Sequence, residues 1–147
     1  MRSELSISIS SQTRSMRVPR KRITELVEFV AEAEGADFVE LEVAVVSSRR
    51  IAELNRKYLG HAGATDVITF DLSDQALGGI RGMVVVCSDV AREQAALRRG
   101  GLQRELLLYI THGLLHLLNY DDTTDEQAQK MYARQEKLLA NFTKRKS

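Results

Sequence analysis

Cysteine is almost missing from this chain: among its 147 residues only Cys87 carries a thiol. One thiol cannot build the disulfide framework that staples small secreted domains. Cys87 follows Val84, Val85 and Val86, and is expected to be a small buried residue. Aromatic residues are scarce, at 5%, and none falls in an RNA-recognition aromatic motif. Contact with a nucleic acid would then run through phosphates rather than base readout. Apolar residues never run for the roughly 18 positions that a membrane span needs, and no apolar stretch near the N-terminus resembles a signal peptide. A cytoplasmic chain without a membrane partner is expected. An excess of one charge is missing too, with 21 Lys and Arg against 20 Asp and Glu. The chain as a whole is not a nucleic-acid polycation.

What is present is enough for one domain, 1–147, able to bury a full core without staples, with loose ends expected at 1–3 and 142–147. Leu5, Ile7 and Ile9 alternate with polar residues and predict a first strand. Pro19 suits the first turn of a helix whose inner face carries Ile23, Leu26, Val27 and Val30 and which stops at Gly35. Val39, Leu41, Val43 and Val45 predict a second strand. Ser47 or Ser48 can cap a short helix with Ile51, Leu54 and Tyr58 inward and Gly60 at its end. Strands follow at 67–72 and 83–87, then a helix capped by Ser88 and running to Gly100 and Gly101. A helix over 103–118 is apolar nearly all round and must be central. Thr124, Asp125, Glu126 and Gln127 form a capping box that opens a last amphipathic helix with Met131, Leu138 and Leu139. The predicted fold is α+β, with about four strands in a mixed sheet and about five helices.

Charge is clustered although it is balanced. Arg14, Arg17, Arg20, Lys21 and Arg22 form one basic run and Lys144, Arg145 and Lys146 another, while Asp121, Asp122, Asp125 and Glu126 form an acidic cluster. The basic runs read as solvated surface or as arms for RNA phosphates, which would make binding salt-sensitive.

Chemistry concentrates in the central helix. Two of the three histidines, His112 and His116, stand four residues apart, one turn above each other on the same helical face. Their imidazoles can grip one metal ion. Asp122 follows ten residues after His112 and can return past the helix end as a third, oxygen ligand. Three protein ligands and a vacant position are what a catalytic zinc site keeps for its water. Gly113 stands where a zinc protease carries its glutamate base, so this helix supplies ligands and no base. A glycine inside a helix costs about 1 kcal/mol against alanine. Its missing side chain leaves room for something to approach the backbone, which suits a cleft wall.

His112, Gly113, Leu115, His116, Leu117, Tyr120 and Asp121 together resemble the metal helix of the YbeY family of bacterial rRNA maturation factors. Leu54, Asn55, Tyr58, Gly60 and the run Thr65, Asp66, Val67, Ile68, Thr69, Phe70 match a second block of that family, and Gly82 with Val84, Val85 and Val86 a third. Glu105 precedes the histidines as in the family, and the resemblance covers roughly residues 40 to 140. The sequence departs at Asn119, where the family has glycine, and at Asp122, where it has a third histidine. It departs again at Leu59, where the family has arginine, and at Met83, where it has an acidic residue.

The resemblance implies a zincin-like metal helix and a metal-dependent endoribonuclease, a hydrolase of rRNA maturation (16S rRNA 3′-end processing) and ribosome quality control. Its partners would be rRNA and the ribosomal small subunit, with ribosomal or GTPase assembly proteins beside them, and not DNA. The ligand frame falls on His112, His116 and Asp122, holding one Zn2+ ion, with other divalent metals more competitive because a carboxylate replaces an imidazole. Catalytic roles fall to His112, Asp66 and Arg56. Asp66, with Thr65, corresponds to cleft-lining residues and could orient a ligand histidine through its free ring nitrogen. Leu59 cannot stabilise a phosphorane, so Arg56 one turn earlier, or Lys57, could stand in. His61 could reach the cleft as a proton donor or substrate contact, but reads first as a surface residue. Two other functions compete: a zincin-like hydrolase of peptides or small amides, against which Gly113 argues, and a metal-stabilised ribosome-binding module with little catalysis.

Overall fold

In the computed structural model, which describes residues 4–145, four strands form one sheet and five α-helices pack on it. In chain order these are β1 (Ser6–Gln12), α1 (Arg20–Glu34), β2 (Phe38–Val46), α2 (Ser48–Leu54), β3 (Val67–Asp71) and β4 (Ile80–Cys87). Then come α3 (Ser88–Leu97), α4 (Gly101–Leu117) and α5 (Asp125–Lys144). The strands lie in the order β1-β2-β4-β3, with β1, β2 and β4 parallel and β3 antiparallel to β4. The mixed α+β sheet predicted from patterning is present.

Side chains of a strand alternate between faces, and the sheet uses both. One face presents Val43, Val45, Val84 and Val86 to α1, α4 and α5, where Leu26, Ile110, Leu114 and Leu138 complete the main core. The other presents Ala44, Val46, Val85 and Cys87 to Ile51 of α2. Central strands covered on both sides read as nearly continuous apolar runs, which explains the valine-rich β2 and β4. Cys87 is buried as expected, and burial pushes its thiol pKa up, away from any nucleophilic role. No helix among the described residues is long and apolar enough to cross a membrane.

α4 is the central helix, and Gly113 sets how closely it lies on the sheet. A Cβ there would meet Val84 Cγ1 at 2.6 Å and both Thr69 Oγ1 and Val67 Cγ2 at 3.3 Å. The backbone room predicted at Gly113 is therefore filled by β3 and β4, not by a ligand.

Several local expectations change in the folded chain. A π-helical turn, Asn55–Leu59, follows α2; its wider turn rotates Tyr58 outward to 55% exposure and carries Asn55 inside. Asn55 Nδ2 donates to the Gly63 carbonyl at 3.1 Å and so ties down the next loop. A register shift between Phe38 and Glu40 places Phe38 rather than Val39 in the core. Ser88 does not cap α3: Cys87 holds that position, and Ser88 is buried with its hydroxyl shared among Thr13, Ser15 and the Val46 carbonyl. α3 ends at Leu97, short of the glycine pair. Thr124 caps α5 through Gln127 N, but Gln127 Oε1 accepts from Thr123 instead of closing the box. Of the ends expected to be loose, residues 142–144 continue α5 with Phe142 buried. Residues 1–3, 146 and 147 lie outside the described residues.

Gly113→Ala should lower the urea midpoint by the equivalent of about 1–3 kcal/mol, although alanine is the better helix former by about 1 kcal/mol. A raised midpoint would mean that Val84 yields and that the close approach is not needed.

Candidate metal centre

The path of the chain after α4 brings the site together. Asn119 takes a φ of 71°, the one positive value at a non-glycine position among the described residues. The Asn119 amide donates to His116 O at 3.0 Å and the Tyr120 amide to Leu115 O at 3.1 Å, closing the helix end. Asparagine tolerates this conformation, so the departure from glycine is absorbed. Asp121 then fixes the reversal, its carboxylate accepting from the Asp122 amide at 2.7 Å and from the Thr123 hydroxyl at 3.2 Å. Asp122 is left free to face back along α4.

Three ligand atoms converge there. The Nε2 atoms of His112 and His116 lie 3.1 Å apart, and Asp122 Oδ2 lies 4.0 Å from the first and 3.7 Å from the second. All three fall within 4.8 Å of one another. Both Nδ1 atoms are already engaged, His112 Nδ1 with Gln135 Oε1 at 2.7 Å and His116 Nδ1 with the Tyr120 carbonyl at 3.2 Å. An oxygen of that kind only accepts, so each neutral ring carries its proton on Nδ1 and turns a bare Nε2 lone pair inward. Two lone pairs and a carboxylate oxygen then face one point with no donor between them. A cation relieves that repulsion, and an N, N, O donor set suits zinc and its first-row neighbours. His112, His116 and Asp122 are thus positioned to bind a divalent metal.

The ring-orienting role expected of Asp66 belongs to Gln135 and the Tyr120 carbonyl, because those groups occupy both free ring nitrogens. Asp66 instead accepts from Val67 N at 2.9 Å and from the Thr65 hydroxyl at 3.2 Å. Gln135, 7% exposed, is a site residue that sequence reasoning missed. Its signal was a polar residue in register with Met131, Leu138 and Leu139 on the buried face of α5. Tyr120 is anchored in turn: its hydroxyl donates to Glu34 at 2.7 Å, and Arg134 reaches the other Glu34 oxygen through Nη2 at 2.7 Å and Nε at 3.1 Å. Burial works against the Glu34 charge, but the hydrogen bonds from Arg134 and Tyr120 and the Arg134 charge outweigh it. The carboxyl is held below the usual glutamate range.

The metal residues open into a cleft of about 450 Å3 lined also by Leu59, Asp66, Val67, Ile68, Thr69, Asp71 and Leu117. Its charged walls are carboxylates, and among the described residues no Lys or Arg lines it. Leu59 stands at the rim, 49% exposed. Arg56 is exposed on the π-helical turn and outside that lining, and His61 is exposed in the loop beyond it. A second cavity, about 710 Å3, shares Asp66 and His112 with the cleft and brings in Arg98, Arg99 and Arg104. None of these three arginines stood out in the sequence. Arg17, Arg20, Lys21 and Arg22 of the first basic run border a different groove that shares no residue with the cleft. Of the other run, Lys144 ends α5 and the Arg145 guanidinium lies over the Phe29 ring at 5.2 Å, while Lys146 is outside the described residues.

Comparison with known proteins places this geometry. The family model described as endoribonuclease YbeY matches residues 7–143. The endoribonuclease YbeY of Bacillus licheniformis is 36% identical over 140 residues, 86% of this chain and 89% of that protein. That of Micrococcus luteus is 41% identical over 110 residues, 69% of each chain. The solution structure of TM1509 from Thermotoga maritima superposes with a TM-score of 0.64 at 29% identity, covering 92% of this chain and 88% of that one.

Two outcomes follow from the hydrogen bonds around the histidines. Gln135→Leu, which removes the acceptor for His112 Nδ1 at similar volume, should weaken zinc binding about 10- to 100-fold in a chelator-competition titration. An unchanged affinity would free His112 from any need of the amide. Glu34 has its pKa depressed in the folded state, so its stabilisation is present above the unfolded value of about 4.3 and is lost as pH falls through the folded one. The stability gap between the parent and Glu34→Gln should therefore be widest near neutrality and shrink in acid, by urea titration at several pH values. A gap independent of pH would contradict the assignment.

Proposed function

The chain belongs to the endoribonuclease YbeY family, and we propose that it is a zinc-dependent endoribonuclease of rRNA maturation, acting on rRNA of the ribosomal small subunit. The observation that carries this reading is the convergence of the His112 and His116 Nε2 atoms on the Asp122 carboxylate in an open cleft. A divalent metal bound there supplies polarisation of a phosphate oxygen and a more acidic water for attack on the phosphodiester.

The remaining work falls to the chain's own side chains. Gln135 and the Tyr120 carbonyl engage both Nδ1 atoms, which leaves both Nε2 atoms facing inward as ligands. Asp122 lowers the charge of the ligand set by one relative to three imidazoles, which moderates the acidity of bound water. Asp66, held by Val67 N and the Thr65 hydroxyl, lines both cavities and receives the proton of the attacking water at its carboxylate. Val67, Ile68 and Leu117 give the cleft apolar walls. Arg56, on the outside of the π-helical turn, meets an RNA strand beyond the cleft and not the reacting phosphate. Gly113, packed against Val84, leaves α4 without the glutamate base of a zinc peptidase, so hydrolysis of peptides or amides is not favoured. Leu59 and Asp122, the departures that would suit a ribosome-binding module with little catalysis, do not outweigh the match to the endoribonuclease family.

Incubation with a 16S rRNA fragment carrying an unprocessed 3′ end tests the reading. The parent should cleave it, lose activity to a chelator and regain it with added zinc, while His116→Ala stays inactive under every condition. Cleavage that survives both chelation and His116→Ala would refute metal dependence.

A further inference from the structure

We propose that the larger cavity beside the metal cleft is an RNA subsite, in which Arg98, Arg99 and Arg104 hold a flanking phosphate and Tyr132 stacks on a base. The proposal rests on the endoribonuclease reading above. Its starting point is a shortage of cations where the chemistry lies. Asp66, Asp71 and Asp122 line the metal cleft with no Lys or Arg among the described residues, and Leu59 adds no charge at its rim. A phosphodiester chain entering that cleft needs its charge met nearby. The adjoining cavity shares Asp66 and His112 with the cleft, so a strand crossing the metal residues continues directly into it.

Three arginines line that cavity, against the carboxylates Asp66 and Glu136. Arg98 is aimed by Glu105, whose Oε1 lies 3.5 Å from Arg98 Nη1, and Arg104 by Glu136 at 3.2 Å. Each pairing uses only part of a guanidinium that offers five N–H donors, and the rest remain for an incoming anion. Arg99 is exposed beside them. The cavity's inner wall includes Tyr109, which is 4% exposed and whose buried hydroxyl sits against the Glu105 carboxylate. Tyr132, on the exposed side of the same cavity, is 62% exposed. An exposed aromatic ring beside a cationic wall is the arrangement on which single-stranded bases stack. The arginines stand at the junction of α3 and α4.

The test uses the zinc-loaded chain and a fluorogenic single-stranded RNA oligonucleotide, with kcat and KM measured across a salt series. Arg99→Ala and Arg104→Gln should each raise KM about tenfold with little change in kcat. Each should also flatten the dependence of log(kcat/KM) on log salt by about 0.7. Tyr132→Ala should raise KM without changing that slope, because stacking releases no counterion. Arg49→Ala, on α2 at the other face of the sheet, should alter neither, and metal content should match the parent throughout. If the parent cleaves the RNA while the arginine variants keep its KM and slope, the subsite is refuted and the endoribonuclease reading stands. A parent that cleaves no RNA overturns both. Should Arg104→Gln lose stability through its broken pair with Glu136, the exposed Arg99→Ala decides alone.

Discussion

Two imidazole nitrogens 3.1 Å apart, each with its lone pair turned inward and a carboxylate oxygen facing both, form the constraint around which the chain is arranged. The arrangement is held by groups outside the ligand set. Gln135 on α5 keeps the proton on one ring and the Tyr120 carbonyl keeps it on the other. Tyr120 is tied to Glu34 on α1, and Glu34 to Arg134 on α5. Three helices and one turn therefore meet at the histidines. Each hydrogen bond adds only about 1 kcal/mol to stability, but their joint effect is directional, because rotation of either ring would break a bond to a fixed oxygen.

That precision needs a rigid base, and α4 supplies it. Leu106, Ile110, Leu114 and Leu115 are fully buried, and Gly113 lets the helix backbone settle onto β3 and β4. Gly82 does the same from the sheet side, where an added Cβ would meet both Leu117 methyls at 2.8 Å. Ligands carried on a packed helix hold their geometry better than ligands on loops. Asp122, the candidate ligand that comes from a loop, is steadied by the Asn119 turn and by Asp121.

Much of this was legible in the chain before folding. Period-two alternation marked β1 and β2, and the spacing of His112 and His116 placed both rings on one helical face. Asp122 stood out as a candidate third ligand, and its carboxylate does lie beside the two Nε2 atoms. What stayed hidden depends on tertiary neighbours or on small changes of helical pitch. The π-helical turn that expels Tyr58 leaves the local pattern of apolar residues unchanged. Gln135 looks like one more polar residue of an amphipathic helix until the ring it faces is known. Arg98, Arg99 and Arg104 read as solvated charge around a helix junction, and only packing of α3 against α4 gives them a common cavity with His112. Asp66 was rightly read as lining the cleft, but its orienting role went to groups from α5 and from the turn after α4.

The claim on which the account turns is that Asp122 belongs to the ligand set, standing where the family has an imidazole. It is tested most directly by titrating zinc into metal-free parent, Asp122→Ala and Asp122→His against a competing chelator. The account predicts one tight equivalent for the parent, a loss of more than about tenfold in affinity for Asp122→Ala, and binding at least as tight as the parent for Asp122→His. Zinc held by Asp122→Ala as firmly as by the parent would contradict it, leaving the carboxylate a bystander beside two histidines.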